Sequence, residues 1–453
     1  MTNPSSDDSA GDPVFLVIIC VVAALGGLLF GFDTAVISGT VGFFEKEFGL
    51  SAVMKGWVTG SALVGCFFGA LGAGALSDRV GRKRVMLLAA AFFTVSAVWC
   101  GLAGDATQLV LARLVGGLGI GIASLVSPLY IAEVSPAARR GLLVALQQLA
   151  IVLGILAAFY SNSLLLQTDL AAAAKWRWMF AVGAFPAVVF LASILIVPES
   201  PRWLCKQGRE TEASTIIVRL SGPEAARAEL AEIRDALAQE GGAWRELLLP
   251  GVRRALWVGL ILAVLTQVTG INAIMYYAPD IFKQAGSEAT TAYNDTVWVG
   301  LTNLVFTVVS MAVVDRLGRK PLLLIGATCM GAALAWVGYA FHHSMGGIGL
   351  LVGVLAYVGS FALSMGVVGW VVISEIYPTR IRGRAMAVAT GGVWAACYVV
   401  AQTFPVLVER IGTGTTFWVY GVFCIVAIAF VALFVPETKG RTLEEIERSW
   451  RRV

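Results

Sequence analysis

Charge is what this 453-residue chain has least of. Asp, Glu, Lys and Arg together make up 14% of it, against roughly 25% in soluble domains. That shortage excludes the soluble multidomain protein that length alone would suggest. Histidine is nearly absent. The two present, His342 and His343, are neighbours, and adjacent side chains cannot both face one helical metal site, so a solvated loop is expected there. The seven cysteines (Cys20, Cys66, Cys100, Cys205, Cys329, Cys397 and Cys424) are scattered without a CxxC pair. They read as small packing residues, not as disulfide or metal partners. A net charge of +4 is too small to point to nucleic acid. No basic segment or small-residue cleavage site precedes the first apolar run, so no removable signal peptide is expected. The polar residues 1–13 are expected to form a disordered tail.

What is abundant is apolar. Hydrophobic residues reach 58% and mean hydropathy is +0.81. Runs long enough to cross a bilayer, about 20 residues each, fall near 14–39, 54–76, 85–103, 107–134, 141–166 and 176–197. A second set falls near 253–282, 292–314, 321–341, 347–377, 383–409 and 415–435. The expected fold is an all-α polytopic membrane protein with twelve transmembrane helices in two six-helix bundles, residues 14–198 and 253–435. A linker, 199–252, and a C-terminal tail, 436–453, complete it.

The chain repeats itself. Asp78-Arg79-Val80-Gly81-Arg82-Lys83 returns as Asp315-Arg316-Leu317-Gly318-Arg319-Lys320. Glu133, Pro136, Arg140 and Gly141 return as Glu375, Pro378, Arg382 and Gly383, and Pro198-Glu199-Ser200 as Pro436-Glu437-Thr438. The copies stand about 240 residues apart, about half the chain, which marks a parallel duplication. Every copy closes or opens an apolar run.

The repeated cations orient the runs by the positive-inside rule. Arg79, Arg82, Lys83 and Arg84 are placed in one short loop, and Arg139 and Arg140 in another. Arg316, Arg319 and Lys320, then Arg380, Arg382 and Arg384, mark the matching loops. The opposite loops are expected to hold few cations and the acids Glu45, Glu47, Asp105 and Asp295. Both termini are therefore expected in the cytoplasm of a multi-pass cell-membrane protein. In the linker, Pro223 suits a first helical turn, with Leu230, Ile233 and Leu237 on one apolar face. Short cytoplasmic helices are expected there, and no room remains for a catalytic domain. Gly65, Gly69, Ala73, Gly117 and Gly121 at helical spacing read as close helix packing.

Five motifs, in order, carry a family resemblance along nearly the whole chain. They are Gly31-Phe32-Asp33-Thr34-Ala35-Val36-Ile37-Ser38-Gly39, Gly74 with Asp78-Arg79-x-Gly81-Arg82-Lys83, and Pro198-Glu199-Ser200-Pro201-Arg202-Trp203-Leu204. The others are Gln267-Val268-Thr269-Gly270-Ile271-Asn272 and Pro436-Glu437-Thr438-Lys439-Gly440-Arg441. The chain thus resembles the sugar porter family of the major facilitator superfamily, which holds bacterial xylose– and glucose–proton symporters and facilitative glucose carriers.

Two charges stand inside apolar runs, Asp33 in the first and Arg113 in the fourth. Each is costly in hydrocarbon unless it faces water or a partner. The resemblance implies that they pair, Asp33 taking up the coupling proton while Arg113 tunes it. Desolvation favours the neutral acid and a nearby guanidinium the carboxylate, so a change of exposure can load and release a proton. The facilitative carriers are typically not acidic at this position, so Asp33 favours symport.

A monosaccharide needs amides that donate and accept, and an aromatic face. Gln148, Gln267, Asn272 and Asn303 lie mid-run and match the family's sugar-binding amides. Trp370, Trp394, Phe30 and Tyr276 match its pocket aromatics, and Gly366 a small pocket position. The chain departs from the xylose-symporter pattern at Thr266 and Val393, each standing where an amide is usual. Ile155 resembles the glucose carriers. These changes make a less polar pocket, and a lost hydrogen-bond partner shifts discrimination between hydroxylated ligands.

In the family the repeated charges form networks that tie the halves together when the carrier faces outward. On that resemblance Asp78, Arg79, Arg82, Glu133, Arg140, Glu199, Arg202, Asp315, Arg316, Arg319, Glu375, Arg382 and Glu437 are expected to form a gate. Positive-inside topology explains the arginines but not the six acids. The expected function is a proton-coupled monosaccharide importer, acting as a monomer in the bilayer, with no cofactor beyond the coupling proton. A facilitative uniporter and an inositol-like polyol symporter are the alternatives. A drug exporter would need fewer amides at the matching positions, a sugar sensor tends to have a longer tail after Glu437, and no domain could host an enzyme.

Overall fold

The computed structural model describes residues 11–136, 139–239, 244–249, 251–378, 381–441, 445–446 and 450. Most of the expected N-terminal tail and the end of the C-terminal tail, with Arg380, lie outside them. Among the described residues the chain is helical, with twelve spans long and apolar enough to cross a membrane.

The first five spans are single helices: α1 (Pro13–Phe48), α2 (Ala52–Val80), α3 (Arg82–Leu102), α4 (Ala106–Val134) and α5 (Arg140–Leu166). The sixth is split into α6 (Ala172–Ala181) and α7 (Ala184–Leu195). The linker carries α8 (Pro201–Lys206), α9 (Glu210–Ser221), α10 (Pro223–Gln239) and a 3-10 turn, Trp244–Leu248. The seventh span is split into α11 (Val252–Val268) and α12 (Ile271–Gln284). Then come α13 (Ala289–Leu317), α14 (Arg319–His342), a split tenth span of α15 (Ile348–Leu363) and α16 (Val368–Glu375), α17 (Arg382–Ile411) and α18 (Thr413–Phe434).

Local chemistry sets the ends. Asp12 caps α1, its carboxylate accepting from Phe15 N at 2.9 Å, with Pro13 in the first turn. At 36 residues this helix is about 54 Å long and overruns a hydrocarbon core of about 30 Å. Within the first half, α2 and α4 nearly touch backbone to backbone. A Cβ on Gly117 would lie 1.9 Å from Ala62 O, and one on Gly65 2.3 Å from Leu114 O. The small residues expected to let helices approach do so here.

Some expected loops are hardly there. Only Gly81 separates α2 from α3, and only Gly318 separates α13 from α14. Arg79 and Arg316 therefore sit in last helical turns, and Arg82 and Arg319 open the next helices. Arg140 and Arg382 likewise begin α5 and α17. At the opposite end Glu45 and Glu47 belong to α1 and Asp295 to α13, not to loops. His342 ends α14 and His343 caps it; the first ring packs on Trp418 at 4.4 Å and the second on Tyr339 at 4.0 Å. Helix continuity satisfies backbone groups that an extended loop would leave for water to pair.

The two sets of six spans meet along α2 with α17, α5 with α13 and α1 with α12. At the end away from the repeated charges they are tied directly. Lys55 Nζ on α2 reaches Glu45 on α1 at 2.8 Å and Asp280 on α12 at 3.1 Å. Gln402 Nε2 donates to Val53 O at 2.9 Å, Ser163 Oγ to Asn294 Oδ1 at 2.7 Å, and Tyr293 Oη to Gly39 O.

Candidate functional site

Asp33 and Arg113 meet. Arg113 Nη1 donates to Asp33 Oδ1 at 3.1 Å and to the Asp33 carbonyl oxygen at 2.9 Å. The arginine is 2% exposed and its guanidinium lies 5.6 Å from the centre of the Phe180 ring. Asp33 Oδ2 is buried and accepts no hydrogen bond. A Cβ on Gly116 would stand 3.1 Å from that oxygen and 2.4 Å from Ser96 Oγ, so the glycine leaves the oxygen its space. The carboxylate pairs with the arginine through one oxygen, and no protein donor reaches the other.

The split seventh span builds the polar wall. Between α11 and α12 the chain breaks at Thr269-Gly270, where Gly270 takes φ +98°, a conformation strained for side-chain-bearing residues. Tyr357 Oη donates to the freed Thr269 carbonyl at 2.8 Å, which removes the cost of irregular backbone inside the bundle. The break brings Gln267 and Asn272 together: Asn272 Nδ2 donates to Gln267 Oε1 at 2.7 Å. Cys397 on α17 joins them, at 3.1 Å from both Asn272 Nδ2 and Gln267 Oε1. Gln267 Nε2 donates to Thr266 Oγ1 at 2.8 Å.

From the first half Phe30 reaches across to Trp394, ring centres 5.6 Å apart. Trp394 is buried and its Nε1 proton has no acceptor. Cys66 on α2 interacts electrostatically with Asp33, Arg113 and Cys397, and Tyr276 with Arg113, Cys66 and Cys397. The acid–base pair and the amide cluster thus share one interior. Asn303 on α13 is buried and Gln148 on α5 half-buried, but neither is hydrogen-bonded to that cluster. Trp370 on α16 is 37% exposed and makes no ring contact with Phe30 or Trp394. Gly366 lies in the break between α15 and α16, beside Phe361.

Cys397, expected from the sequence to be a packing residue, is hydrogen-bonded to two of the site amides; its place one helical turn after Trp394 is the sequence sign of that role. Gln147 is not among the expected site residues, yet its amide is buried against Gly27 of α1 with no hydrogen-bond partner. A second glutamine beside Gln148 in an apolar run is its sequence sign.

The repeated charges build two copies of one junction. Arg82 Nε and Nη2 donate to Glu133 at 2.9 Å, and Arg82 Nη1 to Asp78 at 3.1 Å. In the second half Arg319 Nη2 donates to Glu375 at 2.9 Å, and Arg319 Nη1 pairs with Asp315 at 2.9 Å. Ser200 Oγ and Thr438 Oγ1 each donate at 2.5 Å to the Glu133 or Glu375 of their own half. Glu199 caps α3, accepting from Arg82 N at 2.8 Å and Lys83 N at 3.1 Å, and Glu437 caps α14 through Arg319 N at 3.1 Å and Lys320 N at 3.0 Å. A carboxylate there meets both unpaired N–H groups and the helix dipole. Gly81, at φ +100°, leaves room for it: a Cβ would lie 2.2 Å from Glu199 Oε2. These pairs each stay within one half.

Arg79 and Arg316 are exposed. Arg140 and Arg202 line a cavity with Arg82, Glu133 and the α10 residues Glu229, Glu232 and Ile233. Burial pushes the Glu229 carboxyl up; the Ser221 hydrogen bond opposes this, Glu232 adds to it and Arg140 opposes it. Arg382 donates to Tyr377 O at 3.4 Å.

Twelve spans around a buried acid–base pair and a polar, aromatic-lined interior define a polytopic membrane carrier, not an enzyme. The chain belongs to the sugar (and other) transporter family, whose model matches residues 19–450. It is 40% identical over 441 residues to the arabinose-proton symporter of Bacillus subtilis (strain 168), covering 96% of this chain and 95% of that one. To the D-xylose-proton symporter of Escherichia coli (strain K12) it is 39% identical over 471 residues, covering 96% of each. The structure is similar to the inward-open conformation of the xylose transporter XylE from E. coli, with a TM-score of 0.86 and 38% identity over 96% of this chain and 100% of that one.

Proposed function

We propose that the protein imports a monosaccharide together with a proton, exposing one central site alternately to the two sides of the cell membrane. The moving bodies are residues 14–198 and 253–435, with the linker 199–252 and both termini on the cytoplasmic side, where the repeated cations gather. It acts as a monomer and uses no cofactor beyond the proton. The relatives named as pentose–proton symporters support the sugar and the coupling.

The Asp33–Arg113 pair carries this reading. A proton can add at Asp33 Oδ2 while Oδ1 keeps its bond to Arg113. Protonation converts a paired charge into a lone guanidinium, and that change in electrostatic balance is felt across the interior that holds the amides. Gln148, Gln267, Asn272 and Asn303 bind hydroxyls, with Phe30, Tyr276, Trp370, Trp394 and Gly366 shaping the apolar surface. The ties at the end opposite the repeated charges support an inward-facing state, in keeping with the likeness to an inward-open relative. When the carrier turns outward, the two charged junctions approach and serve as the cytoplasmic gate; Asp78, Glu133, Glu199, Asp315, Glu375 and Glu437 supply its acids.

The test is uptake into proteoliposomes under an imposed proton gradient. Asp33→Asn is expected to abolish uphill accumulation while leaving sugar exchange measurable. Accumulation equal to wild type would sink the coupling.

A further inference from the structure

Gln267 has almost no hydrogen-bonding capacity left for a ligand. A primary amide offers two N–H donors and an oxygen with two acceptor positions. Gln267 Oε1 already accepts from Asn272 Nδ2 at 2.7 Å and from Cys397 Sγ at 3.1 Å. One Gln267 N–H is given to Thr266 Oγ1 at 2.8 Å, and that hydroxyl is itself anchored on Ala263 O at 2.7 Å. What remains is a single N–H. Gln267 is 7% exposed and Cys397 4%, so water is poorly placed to compete for these bonds.

We infer that Cys397 is a positioning residue that turns Gln267 into a pure donor and thereby sets which hydroxyl pattern the site accepts. This inference rests on the reading of the amide cluster as the sugar site. With the thiol in place, the ligand atom facing Gln267 must accept a hydrogen bond and gains nothing by donating one. Without it, Gln267 Oε1 recovers an acceptor position and the amide can turn. The site then reads a hydroxyl in either sense, and epimers that differ at that carbon become harder to tell apart. Cys397 lies three residues after Trp394 and so on the same helical face; the thiol and the Phe30–Trp394 contact therefore bound the pocket together. Thr266 and Cys397 act on Gln267 from opposite sides, giving the threonine found in place of a second glutamine a defined task.

The test is competition by a panel of epimeric pentoses and hexoses against one labelled sugar, in proteoliposomes containing wild type, Cys397→Val or Cys397→Ser. Valine fills the space without hydrogen bonding, and serine keeps a donor and an acceptor. Valine is expected to raise KM about five- to tenfold, because an amide free to turn must be ordered when the sugar binds. It should also flatten the ranking of epimers, with kcat little changed; serine should restore the ranking. A valine variant with the wild-type KM and ranking overturns the inference, as does a serine variant that loses the ranking as fully as valine does. If no sugar competes in the wild type, the underlying sugar reading fails, and the inference with it.

Discussion

Lys55 on α2 bridges Glu45 of its own half and Asp280 of the other, at 2.8 and 3.1 Å. The lysine side chain is 13% exposed and Asp280 14%, so solvent screens the pair much less than a surface bridge. Its ammonium also lies 5.8 Å from the centre of the Tyr277 ring. One cation thus fastens the first span to the seventh where the halves meet.

Removing it should loosen that end. An exposed bridge is worth about 0–1 kcal/mol and breaking a buried one costs about 3–5; this partly buried one falls near 2. Lys55→Ala should then move the balance between the two carrier states about thirtyfold toward opening at this end. Distances between spin labels on the outer ends of α2 and α12 would report it, and an unchanged distribution would show that the bridge does not hold the state.

Asp33 and Arg113 should behave as a pair in stability and separately in transport. Arg113→Leu leaves a buried carboxylate without its cation, a loss of about 3–5 kcal/mol. Adding Asp33→Asn removes the stranded charge, so the double variant should recover most of the thermal stability without recovering proton-driven accumulation. Melting in detergent together with gradient-driven uptake separates the two effects. A double variant as unstable as Arg113→Leu would mean that the arginine acts chiefly through packing.

The Glu437 cap at the charged end should make stability depend on acid. Burial pushes the Glu437 carboxyl up, but the N–H groups of Lys439, Arg319, Lys320 and Thr438 outweigh it and hold it below the usual glutamate value. A carboxyl lowered by folding contributes stability that is fully present above its unfolded value, about 4.3. That contribution is lost as pH falls through the lower, folded value. Glu437→Gln should therefore cost about 1–2 kcal/mol near neutral pH, with the gap to wild type closing below about pH 4. A gap that persists undiminished into acid would place the loss in packing and not in charge.

Much of this is legible in the sequence, for a reason particular to membranes. A span must be long and apolar, and a charge inside it must have a partner or a use; hence the twelve spans, and hence the notice drawn to Asp33 and Arg113. Duplication exposed the Arg82–Glu133 and Arg319–Glu375 junctions because each constraint is written twice. The helical placement of Arg79 and Arg316 was not legible, since positive-inside reasoning assigns an end of the bundle but not a backbone conformation.

Composition, periodicity and repetition determined the architecture, because the bilayer penalises every departure from apolar helix. Tertiary structure alone decided which polar groups spend their hydrogen bonds on one another. A glutamine in a sequence has the same four valences wherever it stands; only the approach of Thr266, Asn272 and Cys397 leaves Gln267 with one. It is likewise only the packing of α1 against α4 that pairs one oxygen of Asp33 and leaves the other open.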